Sequence, residues 1–273
     1  MRKYLLLIFV VVLGLSLYSS LFPTLPAVDS AGHSTVSDGN KLVVVTYNIR
    51  GCRDDNGVAD VEAIARELKD LNPDIIALQE VDEGLPRSGF VHQAQVLAKL
   101  LHMNYAYSPS LNFVIGTYGN AILSKYPIDS KKSYMLPSSH EQRSLLQAQI
   151  NFDGKPLMVY ATHLGLDKSE RALQLSALSD YVKRDKGNRP AILLGDFNTD
   201  QKDPMLQPLR QILTDPLYTQ HEHFATIAGK PVRQIDHIFI SKDFSLNYAT
   251  TTTASRSDHY PVCFHLDVPP IKA

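Results

Sequence analysis

In this chain, short apolar runs end repeatedly on a polar residue of a narrow chemical type. Val43-Val44-Val45-Thr46-Tyr47 ends in Asn48, Ile75-Ile76-Ala77-Leu78 in Gln79-Glu80, and Leu157-Met158-Val159-Tyr160-Ala161-Thr162 in His163. Ala191-Ile192-Leu193-Leu194-Gly195 ends in Asp196-Phe197-Asn198, Gln234-Ile235 leads into Asp236-His237, and Ser257-Asp258-His259 precedes the last apolar run. Runs this short and this rich in Val and Ile are strands rather than helices. A single Asp or Asn after a strand is an ordinary turn former or helix cap. Six strand ends drawing on Asn, Glu, Asp and His are harder to assign to turns. If they meet at one rim, they form a pocket with surplus carboxylates, which repel one another and are costly to bury singly. A hard dication removes that cost, and oxygen donors suit Mg²⁺, with Mn²⁺ or Ca²⁺ as alternatives. Histidine beside a carboxylate moves protons near neutral pH. A cation with such pairs is the chemistry that splits a phosphate ester.

Between these runs the periodicity changes to that of helices. Val61, Ile64, Ala65 and Leu68 share one face of a helix expected over Asp60–Leu71. A second helix is expected over Val91–Leu101, and a third over Ser169–Lys183 with Ser169 as N-cap and Ala172, Leu175, Leu178 and Val182 inward. Further strands are expected at Leu42–Tyr47, Ala121–Leu123, Leu145–Phe152, Leu246–Thr252 and Tyr260–Leu266, with Asp153-Gly154 turning a hairpin. Asn112–Tyr118 and Pro204–Thr226 are expected to be loop-rich stretches around the pocket. Strands and helices without a regular βαβ repeat suggest packed sheets covered by helices.

Arg2-Lys3 followed by the apolar run Leu5–Leu17 has the layout of an export leader. Residues 1–32 are therefore expected to be a signal peptide or an N-terminal membrane anchor, 33–40 a linker, and 41–268 one catalytic domain. This places the enzyme outside the cytoplasm, secreted or anchored. The net charge of −1 offers no basic surplus, which disfavours a protein that holds nucleic acid chiefly by neutralising phosphates. The two cysteines, Cys52 and Cys263, make neither a disulfide framework nor a zinc pattern.

The ordered motifs around Asn48, Leu78-Gln79-Glu80-Val81-Asp82, Gly119-Asn120-Ala121-Ile122-Leu123-Ser124, Thr162-His163-Leu164, Gly195-Asp196-Phe197-Asn198, Ile235-Asp236-His237 and Ser257-Asp258-His259 resemble the endonuclease/exonuclease/phosphatase superfamily. The resemblance implies an α+β fold, a four-layer α/β/β/α sandwich of two packed, mainly antiparallel sheets. It further implies Glu80 as principal metal ligand with Asn48 and Asp258, and Asp196 with Asn198 at the attacking water and phosphoryl group. His259 resembles the catalytic histidine held by Asp236, and His163 the second histidine of the deoxyribonuclease and sphingomyelinase branches, where the apurinic endonuclease branch has Tyr. Asn120 stands where deoxyribonuclease I pairs a glutamate with that histidine, so it is expected to orient His163 without stabilising its charged form. Arg50, Arg87 and Arg143 are candidate contacts to substrate phosphate, since guanidinium forks phosphate oxygens. His237, adjacent to Asp236 in a strand, should face the other way and be structural.

These readings lead to a monomeric, exported, metal-dependent hydrolase of a phosphate ester, a phosphodiesterase or phosphatase, with a lipid head group among the candidate substrates. A secreted DNA endonuclease and a silent binding module on the same scaffold are the alternatives. The membrane is an expected partner through the leader; nucleic acid is disfavoured by charge.

Overall fold

Because side chains alternate across a strand, an uninterrupted apolar run must be covered on both faces. The computed structural model, which describes residues 41–230, 233–252 and 254–268, shows what does the covering. Eleven strands form two sheets: β1 (Lys41–Asn48), β2 (Ile75–Glu83), β3 (Asn104–Asn112), β4 (Thr117–Ser124), β5 (Ile128–Met135), β6 (Ser144–Phe152), β7 (Lys155–His163), β8 (Ala191–Asp196), β9 (Asp236–Ile240), β10 (Ser245–Thr251) and β11 (Val262–Asp267). One sheet has the order β10-β11-β1-β2-β4-β3, the other β5-β6-β7-β8-β9. Pairing is antiparallel except for β1 with β2 and β7 with β8. Parallel neighbours need a crossover, which the helices α1 (Val61–Asp70) and α3 (Lys168–Lys186) supply. A further helix, α2 (Gln93–Leu101), packs beside α1 in the same outer core.

The sheets meet through Leu42, Val44, Ile75, Ala77 and Ile122 on one side and Ala148, Val159, Ala161, Ile192, Leu194 and Ile238 on the other. The alternate residues point outward. Val45, Tyr47, Ile76 and Leu78 pack under α1 and α2, and Met158, Tyr160 and Leu193 under α3. Three apolar layers between four structural ones give the expected α/β/β/α sandwich.

Local signals explain the element ends, with some differences from expectation. Asp60 caps α1 by accepting from the Ala63 amide at 2.9 Å. For α3 the cap is Asp167 rather than Ser169, and it accepts from the Glu170 amide at 2.9 Å. Ala172 is exposed, and Gln174 takes the inward place, its amide joining Gly165 and Pro137 across the helix start. Two strands were not expected, β3 and β5, each at one edge of its sheet. β5 is disguised by an exposed polar run, and β3 by Ser108 and Ser110, which occupy the buried positions where apolar residues would mark a strand. β3 even carries Pro109, at a register break where a missing amide is tolerated. The stretch Asn112–Tyr118 is therefore mostly strand end and hairpin. Pro204–Thr226 holds three helical turns, at Pro204–Leu206, Gln207–Arg210 and Pro216–Thr219, with a buried Arg210–Asp215 pair at 2.8 Å. The Asp153-Gly154 hairpin joins β6 and β7 as expected. The expected leader and linker lie outside the described residues, and among the described residues no helix is long and apolar enough to cross a membrane.

Candidate active site

Strand direction gathers the site. β1 and β2 run parallel, so Asn48 at the end of β1 and Glu80 at a register break within β2 reach one rim; β7 and β8 bring His163 and Asp196 there from their ends. β11 and β9 run antiparallel to these pairs, so they contribute residues at or before their starts, His259 and Asp236. Asp196 lies between His163 on one side and Asp236 on the other, register partners in both pairings.

Glu80 sits at the register break between Leu78 and Val81, with φ of 58°. A glutamate held left-handed is uncommon, and such strain recurs at functional sites. Asn198 is left-handed as well, at φ 47°, which asparagine tolerates better. Arg50, Gly51 and Cys52 are three successive left-handed residues, at φ 50°, 63° and 59°. They fold the chain back so that the Arg50 amide donates to Asn48 Oδ1 at 3.1 Å. That bond fixes the amide of Asn48, leaving Nδ2 to donate to Glu80 Oε1 at 2.9 Å and Asp196 Oδ2 at 3.1 Å. Asn48 thus bridges two carboxylates as a donor.

Two histidines flank Asp196 in opposite states. His259 Nδ1 is 2.9 Å from Asp236 Oδ2, and its Nε2 is 3.7 Å from Asp196 Oδ2. Burial disfavours the charged ring, but the Asp236 carboxylate, with Asp196 and Asp258 adding, pushes its pKa up to about 10. His163 is pushed well below the usual range by burial, with Arg143 and His259 adding. Arg143 Nη1 stands 3.1 Å from His163 Nδ1. A guanidinium can only donate, so Nδ1 accepts and the proton of the neutral ring sits on Nε2. That nitrogen faces Asp196 Oδ2 at 3.5 Å and the Asn198 amide nitrogen at 3.2 Å. With the ring proton on Nε2, the contact to Asn198 is not a hydrogen bond donated by the amide, which instead serves the Leu164 carbonyl at 2.9 Å.

Asp196 itself is buried. Burial first, and the Asp236 charge second, raise its pKa from 3.8 to about 7, against the opposing pull of His259, the Asn198 backbone amide and Asn48. The result is a carboxylate poised to exchange a proton near neutrality.

Not every candidate joins this group. Asp258 and Arg50 stand at its margin, partly exposed and 3.8 Å apart, with Arg50 also paired to Asp55 at 2.8 Å. Arg87 is committed to Asp82 by two bonds, at 2.6 and 2.9 Å. Asn120 is buried and donates to the Ser144 carbonyl at 3.1 Å, so the partner of His163 is Arg143 instead. Arg143 is itself buried, between Glu141 and the imidazole. His237 faces the other way as expected, buried with Nε2 2.8 Å from the Thr199 carbonyl. Ser257 was missed: its hydroxyl donates to the Asn48 carbonyl at 2.7 Å and accepts from the His259 amide at 3.2 Å, tying the His259 segment to β1. Only the motif's Ser-Asp-His order marks it in the sequence.

The donor chemistry fits a divalent cation. Asp196, Asp236 and His259 offer ligand atoms within 4.8 Å of one another, but the Asp236–His259 contact is already a hydrogen bond. Glu80, tied to Asp196 through Asn48, and Asp258 at the open margin are the further carboxylates of this rim. Four carboxylates around one rim are the charge surplus that such an ion would relieve.

A model of the Endonuclease/Exonuclease/phosphatase family matches residues 45–259. The uncharacterized protein YbhP of Escherichia coli (strain K12) is 28% identical over 230 residues, covering 73% of this chain and 87% of that protein. Among solved structures, an endonuclease/exonuclease/phosphatase from Beutenbergia cavernae aligns with a TM-score of 0.69 at 23% identity, covering 84% of this chain and 72% of that one. The mannosyl-6-phosphatase Bt3783 of Bacteroides thetaiotaomicron aligns at 0.65 with 21% identity, covering 82% of this chain and 99% of that one. Both share the fold described above.

Proposed function

We propose, on the premise that this chain belongs to the Endonuclease/Exonuclease/phosphatase family, that it is a divalent-metal-dependent hydrolase of phosphate esters working outside the cytoplasm. One observation carries the reading. A buried carboxylate with its pKa near 7, Asp196, is enclosed by a charged histidine, a neutral histidine and an amide that ties it to Glu80.

Each group then has a task set by its protonation state. Asp196, once ionised, takes a proton from the attacking water. His259, kept charged by Asp236, steadies the phosphoryl oxygens and supplies a proton toward the leaving oxygen. His163 stays neutral and offers its Nε2 proton as a fixed hydrogen bond to the phosphoryl group, with Asn198 beside it. Asn48 holds Glu80 and Asp196 in register. A dication bound by Glu80 and Asp258 would neutralise phosphoryl charge and make water more acidic. Mg²⁺ is the ion proposed. That one structural neighbour is a mannosyl-6-phosphatase supports phosphate esters as the substrate class. Export is proposed from the basic start and apolar run of the first residues.

The test is turnover of a panel of phosphate esters, plasmid DNA included, by the purified chain with Mg²⁺, read by mass spectrometry. Loss of turnover with chelator and in Asp196→Ala is expected. Activity indifferent to both would remove the reading, and nicking as the sole activity would make the chain an endonuclease.

A further inference from the structure

The turn between β3 and β4 is built from the wrong residues for a turn. Where Gly, Asn and Asp usually stand, Phe113, Val114 and Ile115 follow one another, with 50%, 105% and 54% of their surface exposed. The tip is nevertheless held in place. The Phe113 amide donates to the Gly116 carbonyl at 3.1 Å. Gly116, at φ 77°, lies so close to the end of β2 that a Cβ there would stand 2.6 Å from the Glu83 carbonyl oxygen. The backbone that carries the three side chains is thus seated against the strand that carries Glu80. Thr117 is the register partner of Glu83, so the tip projects beyond the catalytic rim, on the same end of the sandwich. Neighbouring connections at that end add exposed Val58, Phe90 and Leu166.

We propose that this apolar tip docks the catalytic end onto a lipid bilayer, which the enzyme then addresses as a surface of phosphate esters. The inference rests on the hydrolase reading above. A protruding turn with a fully exposed valine has no groove of its own and offers little for shape-matched protein recognition. A bilayer needs no such match, and it is apolar just beneath a layer of phosphate esters, the two chemistries this end presents together. Single apolar side chains on a surface need no explanation, but a braced cluster of three does. The chain outside the structure is compatible with the geometry. β1 begins with Lys41 at the opposite end, and residues 18–40 follow the apolar run Leu5–Leu17. At roughly 3.3–3.6 Å per residue, that stretch can reach on the order of 75 Å, well beyond the roughly 27 Å of an eight-residue strand. At the docked surface the reaction is hydrolysis: the oxygen of water bonds to phosphorus, the ester P–O bond breaks, and one proton of that water ends on the leaving oxygen.

The chain contains no tryptophan, so a Val114→Trp variant of the full chain reports on the tip alone. On adding vesicles of phosphatidylcholine and phosphatidylglycerol, its emission should shift to the blue and be quenched by lipids brominated in the acyl chain. Asn188→Trp, at the opposite end, should do neither. Phe113→Ser/Val114→Ser/Ile115→Ser should cut turnover of a vesicle-borne phosphate ester on the order of a hundredfold and leave turnover of a water-soluble ester unchanged. An unshifted Val114→Trp, an equal loss on both esters, or a blue shift that grows with protein concentration without lipid would each overturn the docking. Lipid insertion without turnover of any ester would sink the hydrolase reading instead.

Discussion

Asp196 is 1% exposed, and its carboxyl titrates near 7 rather than 3.8, because burial and the neighbouring Asp236 both oppose its charge. The folded state therefore holds this proton more tightly than the unfolded chain does. Below about pH 4 both states are protonated and the group costs nothing. As pH rises the unfolded chain ionises first, so stability falls through that window and stays lower above about pH 7. The rise from 3.8 to about 7 corresponds to about 4 kcal/mol once complete. Asparagine keeps the shape and removes the charge, but it has only one acceptor. One of the contacts now made by Asn48 and the Asn198 amide then faces a donor or is lost, at a cost of about 1–2 kcal/mol. Asp196→Asn should thus gain about 2 kcal/mol at pH 8, or roughly 4–8 °C in melting temperature for a domain of this size. Near pH 5 the two chains should melt alike. Calorimetry of both in the presence of a chelator, so that no cation offsets the charge, measures the difference. The same variant should lose on the order of a thousandfold in turnover with Mg²⁺. A variant that melts lower than the parent by the same amount at both pH values would refute the reasoning, because the carboxyl would then be stabilising the fold whatever its charge.

Asp236→Asn withdraws the charge opposite His259 Nδ1. With about 4 Å between charge centres and an effective dielectric of about 20, this removes roughly 4 kcal/mol, so the alkaline limb of kcat should move down by about three pH units and activity should fall 10²- to 10⁴-fold, roughly; an unmoved limb would show that Asp236 does not hold the charge. Arg143→Met frees His163 Nδ1, and nitrogen-detected NMR should show the ring leaving its single Nε2-protonated form, with turnover down by roughly tenfold or more; an unchanged tautomer would assign the proton to some other constraint. A Cβ at Gly195 would stand 2.2 Å from the Thr162 carbonyl oxygen, so Gly195→Ala should force β7 and β8 apart at the level of His163 and Asp196 and cost on the order of 3 kcal/mol; a variant with unaltered melting and activity would show that the strands can separate freely.

Much of the architecture was legible because the central strands obey a simple constraint. Strands covered on both faces must be apolar throughout, and Val43–Tyr47, Leu157–Thr162 and Ala191–Leu194 read as such. The edge strands β10 and β9 kept enough apolar residues to be read, but β3 and β5 did not. Lys131 and Lys132 of β5 carry exposed edge chemistry that looks like loop, while in β3 the buried Ser108 and the neighbouring Pro109 have the same effect. The capping residue of α3 was misplaced by two positions because Asp167 and Ser169 are equally good acceptors in isolation, and only the backbone at Asp167 is extended.

In the site, which side chains matter could be read from the strand ends, but how they pair could not. Sequence order places Asp236 and His259 before apolar runs and Asn48, Glu80, His163 and Asp196 after them. They share a rim only because β9 and β11 are antiparallel to their neighbours while β1, β2 and β7, β8 are parallel. The pairing of Arg143 with His163 has no sequence signal at all, since it arises where the residue before β6 meets the end of β7. The motif position of Asn120 points to it as the partner, but its amide donates to Ser144. The consequence is chemical. Burial, reinforced by an obligate donor behind it, keeps one histidine neutral, while a carboxylate behind the other keeps it charged, and Asp196 titrates between them. The division of labour in this centre is therefore set by what stands behind each imidazole, a layer of residues that the strand-end pattern does not reach.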